Sequence, residues 1–286
     1  MFRYAAEILP YHDFPLETSV AELAGLGFKE INLWTSAQPL AHHVNPGDDT
    51  AAIKKILDKY DVKACGLTMY GKNQDEMLER IQLAADLDID TIIFDCEANY
   101  PDFVGKFLPP LVEAAARVRV RIAVENHLTV PFSADFESGG NEDRRWDEGV
   151  DTFAQIKRLI RDIDHPNLGV CVAPPHLWVM GETISEVLTF LAERKRLFYY
   201  YIWDIDRAYR HGVDGLNFGP GDQQLPRPDG TLDHAVPLGL LKRLGYTGAA
   251  SIKCHGTAGW PVEKVTEKLR ASDAYVRSCL DRVNHG

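Results

Sequence analysis

The sequence predicts a single (β/α)8 barrel (a TIM barrel, α/β class), and three observations lead to it. Short β-branched runs alternate with longer segments whose apolar residues recur every three or four positions, giving eight strand–helix units in 286 residues. No Gly/Ser linker or composition break divides the chain, so residues 1–286 read as one domain. The phosphate fingerprint GxGxxG is missing after the first strand, which sets the doubly wound sheet second.

The strands are expected, in order, at Tyr4–Leu9, Glu30–Leu33, Val62–Thr68, Thr91–Asp95, Arg121–Glu125, Leu168–Val172, Leu197–Trp203 and Ala249–Lys253. Each is short and apolar, as strands buried on both faces must be. Between them, LETSVAELAGLG (16–27) places Leu16, Val20, Leu23 and Leu26 on one helical face, and Gly27 supplies the stop. DEMLERIQLAADLDI (75–89) does the same with Met77, Ile81, Ala84 and Leu87, and TFAQIKRLIRDI (152–163) with Phe153, Ile156, Ile160 and Ile163. A long helix is expected from Val262 to about Val283. Two connections, 127–150 and 204–233, exceed the ~12–15 residues of ordinary loops and are expected as lids over the catalytic face.

Composition excludes several classes of function. Hydrophobic residues at 45% and charged residues at 26% are globular values, and a net charge of −11 opposes binding to a phosphate backbone. No apolar run approaches the ~18 residues a membrane span needs, and no signal peptide is visible in MFRYAAEILPYHDFP. Five widely spaced cysteines with no CxxC read as reduced thiols, and the expected location is cytoplasmic.

In a barrel the chemistry sits on the last residue of each strand and the few that follow. Here those positions hold Trp34, Tyr70, Asp95 and Glu97, then Glu125, Asn126 and His127, then Ala173 to His176, Trp203 and Asp204, and Lys253 to His255. A glutamate closing RIAVENH and a lysine closing AASIKCH are both costly to bury alone. Strands five and eight can point both into one central mouth, where each charge would compensate the other at the desolvation penalty of any buried pair.

The segments AVENH (123–127), GVCVAPPHL (169–177), YYYIWD (199–204), GPGD…DG…LD (219–233) and LGYTGAASIK (244–253) stand in register over nearly the whole chain. Together they resemble the xylose isomerase-like superfamily, in the sugar phosphate isomerase/epimerase branch of ketose 3-epimerases, hydroxypyruvate isomerases and inosose dehydratases. The resemblance implies one divalent metal (Mn, Mg, Co or Zn) on four strand-end ligands, Glu, Asp, His and Glu, with the two glutamates moving the substrate proton. Glu125 matches the first ligand. The others fall on Ala173, Tyr201 and Lys253, of which alanine has no donor and an ammonium cannot bind a cation. His176 keeps the trailing histidine of the second motif.

The expectation is a sugar- or polyol-derived keto substrate and proton transfer α to a carbonyl, with no metal at the usual site. Glu125 would be the base, Lys253 the electrostatic stabiliser of an enolate, and His127 or His176 the proton donor. Trp34, Tyr201, Trp203, Asp204 and His255 are the expected substrate-binding residues. A Schiff base on Lys253 ranks lower, because a neighbouring carboxylate favours the charged amine. Each residue also has a plainer reading: Lys253 as a structural salt bridge, the histidines as hydrogen-bonded filler, the aromatics as core, Asp204 as a solvated charge.

Two further readings stay open: an inactive barrel binding a sugar-like ligand or serving as a partner subunit, and a metal-dependent isomerase or dehydratase with its site relocated to Glu97 and Asp95 with His127, or to Glu97, His127 and His176. Small carbohydrate-like molecules are the expected partners, with neither nucleic acid nor membrane, and the resemblance adds a homo-oligomer.

Overall fold

The computed structural model describes residues 2–36, 40–70, 73–96, 100–128, 149–210 and 218–285. Eight parallel strands close into a barrel in sequence order: β1 (Arg3–Glu7), β2 (Glu30–Ser36), β3 (Lys63–Tyr70), β4 (Thr91–Phe94), β5 (Arg121–Glu125), β6 (Leu168–Val172), β7 (Leu197–Ile202) and β8 (Ala249–Ile252). The expected (β/α)8 barrel is therefore the fold, and the fifth and sixth strands run as the sequence predicts.

The first strand ends earlier than expected, at Glu7 in place of Leu9. Leu9–Tyr11 instead form a 3-10 turn with Pro10 inside it, because proline cannot donate to a strand ladder and fits the first turn of a helix. Residues 204–233 are not wholly irregular: Gly221–Gln224 make a short helical turn within them. Residues 129–148 and 211–217, the middles of both long connections, lie outside the described residues.

Alternation along the strands divides the core in two. Ala6, Ala250, Ile252, Tyr200 and Ile202 join the layer between sheet and helices. Ala5, Cys65, Ile93, Ala123, Cys171, Tyr199, Tyr201, Trp203 and Ala249 fill the barrel interior. Gly66 makes that filling fit, since a Cβ there would collide with the Asn32 carboxamide and with the Tyr199 ring, 2.9 Å away.

The closing seam fixes the site. β1 and β8 pair with Ala5 opposite Ser251 and Ala6 opposite Ile252, so Glu7 and Lys253 follow side by side at the C-terminal mouth. Helices Leu16–Gly25, Thr50–Lys59, Gln74–Asp86, Leu108–Arg117, Phe153–Asp162, Ile184–Glu193, Ala235–Arg243 and Val262–His285 pack outside the sheet. Three of the starts carry side-chain caps: Asp49 on Ala51 and Ala52, Asn73 on Glu76, and Thr152 with Gln155 in a reciprocal capping box. No helix among the described residues is long and apolar enough to cross a membrane. All five cysteines are buried and free.

Candidate active site

Lys253 follows β8 and turns into the mouth, where its Nζ lies 3.2 Å from Glu125 Oε1 and 3.5 Å from Oε2. The two side chains are 0% and 1% exposed, so the pair is dry. Three aromatic faces complete the surroundings of the ammonium: Tyr201 at 3.9 Å, Trp203 at 4.7 Å and Trp34 at 5.4 Å from ring centroids. A cation over desolvated rings gains ~2 kcal/mol or more in favourable cases, so the cage and the carboxylate hold the same charge.

His176 approaches Glu125 from the helical turn Pro174–Val179 that follows β6, with Nε2 3.7 Å from Oε1. Its tautomer follows from its other nitrogen. The Leu128 amide donates to His176 Nδ1 at 3.1 Å, so Nδ1 is an acceptor and the ring proton of the neutral imidazole sits on Nε2, facing Glu125. The His127 ring packs against this one, tilted, with centroids 4.4 Å apart, and its Nδ1 lies 3.7 Å from Asp95 Oδ2 and 3.0 Å from the Leu128 carbonyl. Asn126 ties the two strand ends together, accepting from the Ala173 amide at 2.7 Å and donating to its carbonyl at 3.1 Å.

His255 forms the rim. Its ring lies 5.2 Å from Trp203 and 5.9 Å from Trp34, and burial, then the charge of Lys253, holds it well below the ordinary histidine value. Gln224 fixes this wall: its Oε1 accepts from Trp203 Nε1 at 3.2 Å and from the His255 amide at 3.1 Å. Of the expected site residues, the structure thus brings together Glu125, Lys253, His127, His176, Trp34, Tyr201, Trp203 and His255. Glu97 lies outside the described residues.

Asp204 stands apart from them. Its Oδ1 accepts from the amides of Ile205 (2.8 Å), Thr231 and Leu232 (3.1 Å each), and its Oδ2 faces His234 at 3.8 Å and Arg227 at 4.0 Å. Expected at the substrate, it uses Oδ1 to clasp the return of the long connection, while Oδ2 makes no hydrogen bond among the described residues. Gly230 leaves room for it, as a Cβ there would strike Oδ2. Replacing Asp204 by alanine is expected to lower stability by about 2–3 kcal/mol, the size of a lost charge-assisted hydrogen-bond set. Urea denaturation and limited proteolysis within 218–233 check this, and unchanged resistance at both would return Asp204 to the substrate.

Sequence reasoning missed Glu7. It is wholly buried beside Lys253, and four donors converge on it. Asn32 Nδ2 (2.6 Å) and Trp34 Nε1 (2.7 Å) reach Oε2, while the Tyr199 hydroxyl (3.5 Å) and the Ser251 hydroxyl reach Oε1. Burial pushes its carboxyl up to about 7 against the opposing field of Lys253 and these hydrogen bonds. The network continues from Asn32 to Thr68 (2.7 Å) and from Thr68 to the Tyr201 hydroxyl (3.0 Å). The signal was present in RYAAE: a charge ending an apolar strand, as at Glu125 and Lys253.

The four positions matching the resemblance's metal ligands do not fit a divalent ion. Ala173 has no donor atom, the Tyr201 hydroxyl is shared with Thr68, and the Lys253 ammonium lies against the one retained carboxylate. Among the described residues, no group of three or more His, Cys, Asp or Glu is arranged to hold a metal.

Comparison with known proteins places this architecture. The family model of the xylose isomerase-like TIM barrel matches residues 20–275. Among solved structures, the IolI protein with a bound zinc atom is similar at 14% identity, over 97% of this chain and 98% of its own, with a TM-score of 0.71. An L-ribulose 3-epimerase is similar at 16% identity, over 100% and 96%, with a TM-score of 0.69. The probable 3-DHS dehydratase AsbF of Bacillus anthracis is similar at 14% identity, over 96% and 98%, with a TM-score of 0.66. At such identities the likeness is one of fold. No curated protein sequence matches the chain. The neighbours are epimerases, isomerase-like proteins and a dehydratase, and the chain belongs to the xylose isomerase-like TIM-barrel family.

Proposed function

We propose that the chain is an isomerase, an epimerase or a related lyase. It moves a proton α to a carbonyl on a sugar- or polyol-derived keto substrate, without the family's usual divalent metal. The observation that carries this reading is the dry Lys253–Glu125 pair under three aromatic faces, a positive charge where relatives of this type keep a metal. The pair also answers the electrostatic problem that the lost ligands pose, because one ammonium neutralises one carboxylate.

In this reading Glu125 takes the α-proton, and the electron pair of the broken C–H bond moves onto the carbonyl oxygen. Lys253 has three N–H donors, so it can meet that oxygen while keeping one on Glu125. His176, whose proton faces Glu125, orients the carboxylate. His127, packed beside it and near Asp95, supplies or accepts the second proton. Reprotonation of the same carbon from the other face gives an epimer, protonation of the neighbouring carbon an isomer, and loss of a β-hydroxyl a lyase product. Trp34, Trp203 and His255 form the wall that meets the ring or chain of the substrate.

The test is solvent exchange. Protein prepared with and without chelator is incubated in deuterated water with ketopentoses, ketohexoses and inososes, and loss of the α-proton is followed by proton NMR. Exchange is expected at the same rate in both preparations, with metal well below one equivalent by elemental mass spectrometry. Exchange that requires stoichiometric Mn, Mg, Co or Zn would overturn the metal-free part. Ligand binding with no exchange would favour the inactive barrel, for which the complete burial of the pair is the supporting observation.

A further inference from the structure

We propose that Glu7 is a positioning residue that decides how the Lys253 ammonium is shared: protonated, it leaves the ammonium to Glu125; ionised, it draws that charge toward β1 and releases Glu125 to act as a base. The proposal rests on the reading above that Glu125 and Lys253 are the working pair.

Register and geometry carry it. Ala6 pairs with Ile252, so Glu7 and Lys253 are the next residues on adjacent strands. Ala5 and Ala249 line the interior, and strand alternation sends Glu7, Ser251 and Lys253 the same way. Around Lys253 the mouth therefore sets two buried carboxylates, Glu7 and Glu125, against one ammonium, an arrangement that cannot be neutral with all three ionised. A dry interior penalises the residual negative charge. The four donors on Glu7 favour its anion and its burial favours the acid, so the two tendencies oppose each other at this carboxyl.

The other groups facing Glu7 do not take up the imbalance; His176 faces Glu125 instead, at 3.7 Å. Tyr199 and Tyr201 on β7, Cys65 on β3 and Cys171 on β6 are all pushed up by burial and stay neutral. His255 on the rim is held neutral by burial and by Lys253. From β2 come only the uncharged Asn32 and Trp34. Burial and these partners place the Glu7 carboxyl at about 7, where it gains and loses its proton in the working range.

The test follows the proton directly on the intact protein. Glutamate labelled with carbon-13 at the carboxyl gives one resonance per side chain, and the one missing in Glu7→Gln is Glu7. It is expected to titrate near neutrality. Lys253→Met removes the favourable charge and should move the midpoint up by about one pH unit or more, while Glu125→Gln gives Glu7 sole claim on the ammonium and should move it down. A resonance that keeps one ionisation state across neutral pH, or a midpoint unmoved in both variants, overturns the proposal.

With an exchanging substrate, the part of the acid limb of kcat/KM that lies near neutrality should disappear in Glu7→Gln, leaving only the limb of the base Glu125 itself; an unchanged limb near neutrality overturns the coupling to Glu125. If no substrate exchanges, the functional reading fails by itself, and the carboxyl titrations still decide the sharing of Lys253.

Discussion

Lys253→Met is expected to cost the fold about 3–5 kcal/mol, the usual penalty for stranding a buried charge. The methylene stem is conserved in size and the aromatic faces stay filled, so packing contributes little to that loss. What remains is Glu125, 1% exposed, with His176 Nε2 3.7 Å away as its nearest charged-capable neighbour. The double variant Lys253→Met with Glu125→Gln removes both charges and is expected to recover most of the loss. The coupling is read as the failure of additivity in urea denaturation.

The penalty should also depend on pH with a definite sign. Glu7 has a folded value raised from 4.5 to about 7, so the stability tied to its proton is complete below 4.5 and is lost as pH rises through about 7. Removing the Lys253 field raises that carboxyl further. Lys253→Met should therefore lose more at pH 8 than at pH 6. A single variant as stable as the parent at both values would mean that the pair holds nothing together.

Much of this molecule is legible in its sequence because the barrel imposes two strong regularities. Strands buried on both faces read as short apolar runs, and that pattern alone recovers β5 and β6 to the residue. Strand ends are where charges face the mouth, which is why Glu125 and Lys253 stand out before any coordinates. The same rule applied to RYAAE would have found Glu7. It was lost because the apolar residues after it, Ile8 and Leu9, extend the run past the true end, and Pro10 is the signal that the strand has already stopped.

Asp204 shows what a strand-end rule leaves out. Its position at the mouth is that of a substrate ligand, yet its bonds go to amides more than twenty residues later. No local pattern announces that a loop will fold back on a side chain. Gln224 escaped for the same reason, lying inside a connection read as irregular while it fixes both Trp203 and His255.

Glu125→Gln is expected to slow α-proton exchange by about 10²–10⁴, the range of a general base, with KM nearly unchanged. Glutamine has the same shape, keeps an oxygen for Lys253 and His176, and lacks only the basicity. Its effect on stability should be smaller than that of Lys253→Met, because the stranded ammonium still has Glu7 as a partner that can ionise, whereas a stranded Glu125 keeps only His176, which must first gain a proton to compensate it. The two single variants thus separate chemistry from structure. Glu125→Gln should lose rate and keep most of the fold, and Lys253→Met should lose both. His176→Gln is the control on orientation, since it retains a side-chain amide for hydrogen bonding but changes the angle at which a donor meets Glu125; a fall in kcat smaller than that of Glu125→Gln is expected. Full exchange activity in Glu125→Gln would take the base away from β5 and assign it to His127, which packs against His176 and lies near Asp95.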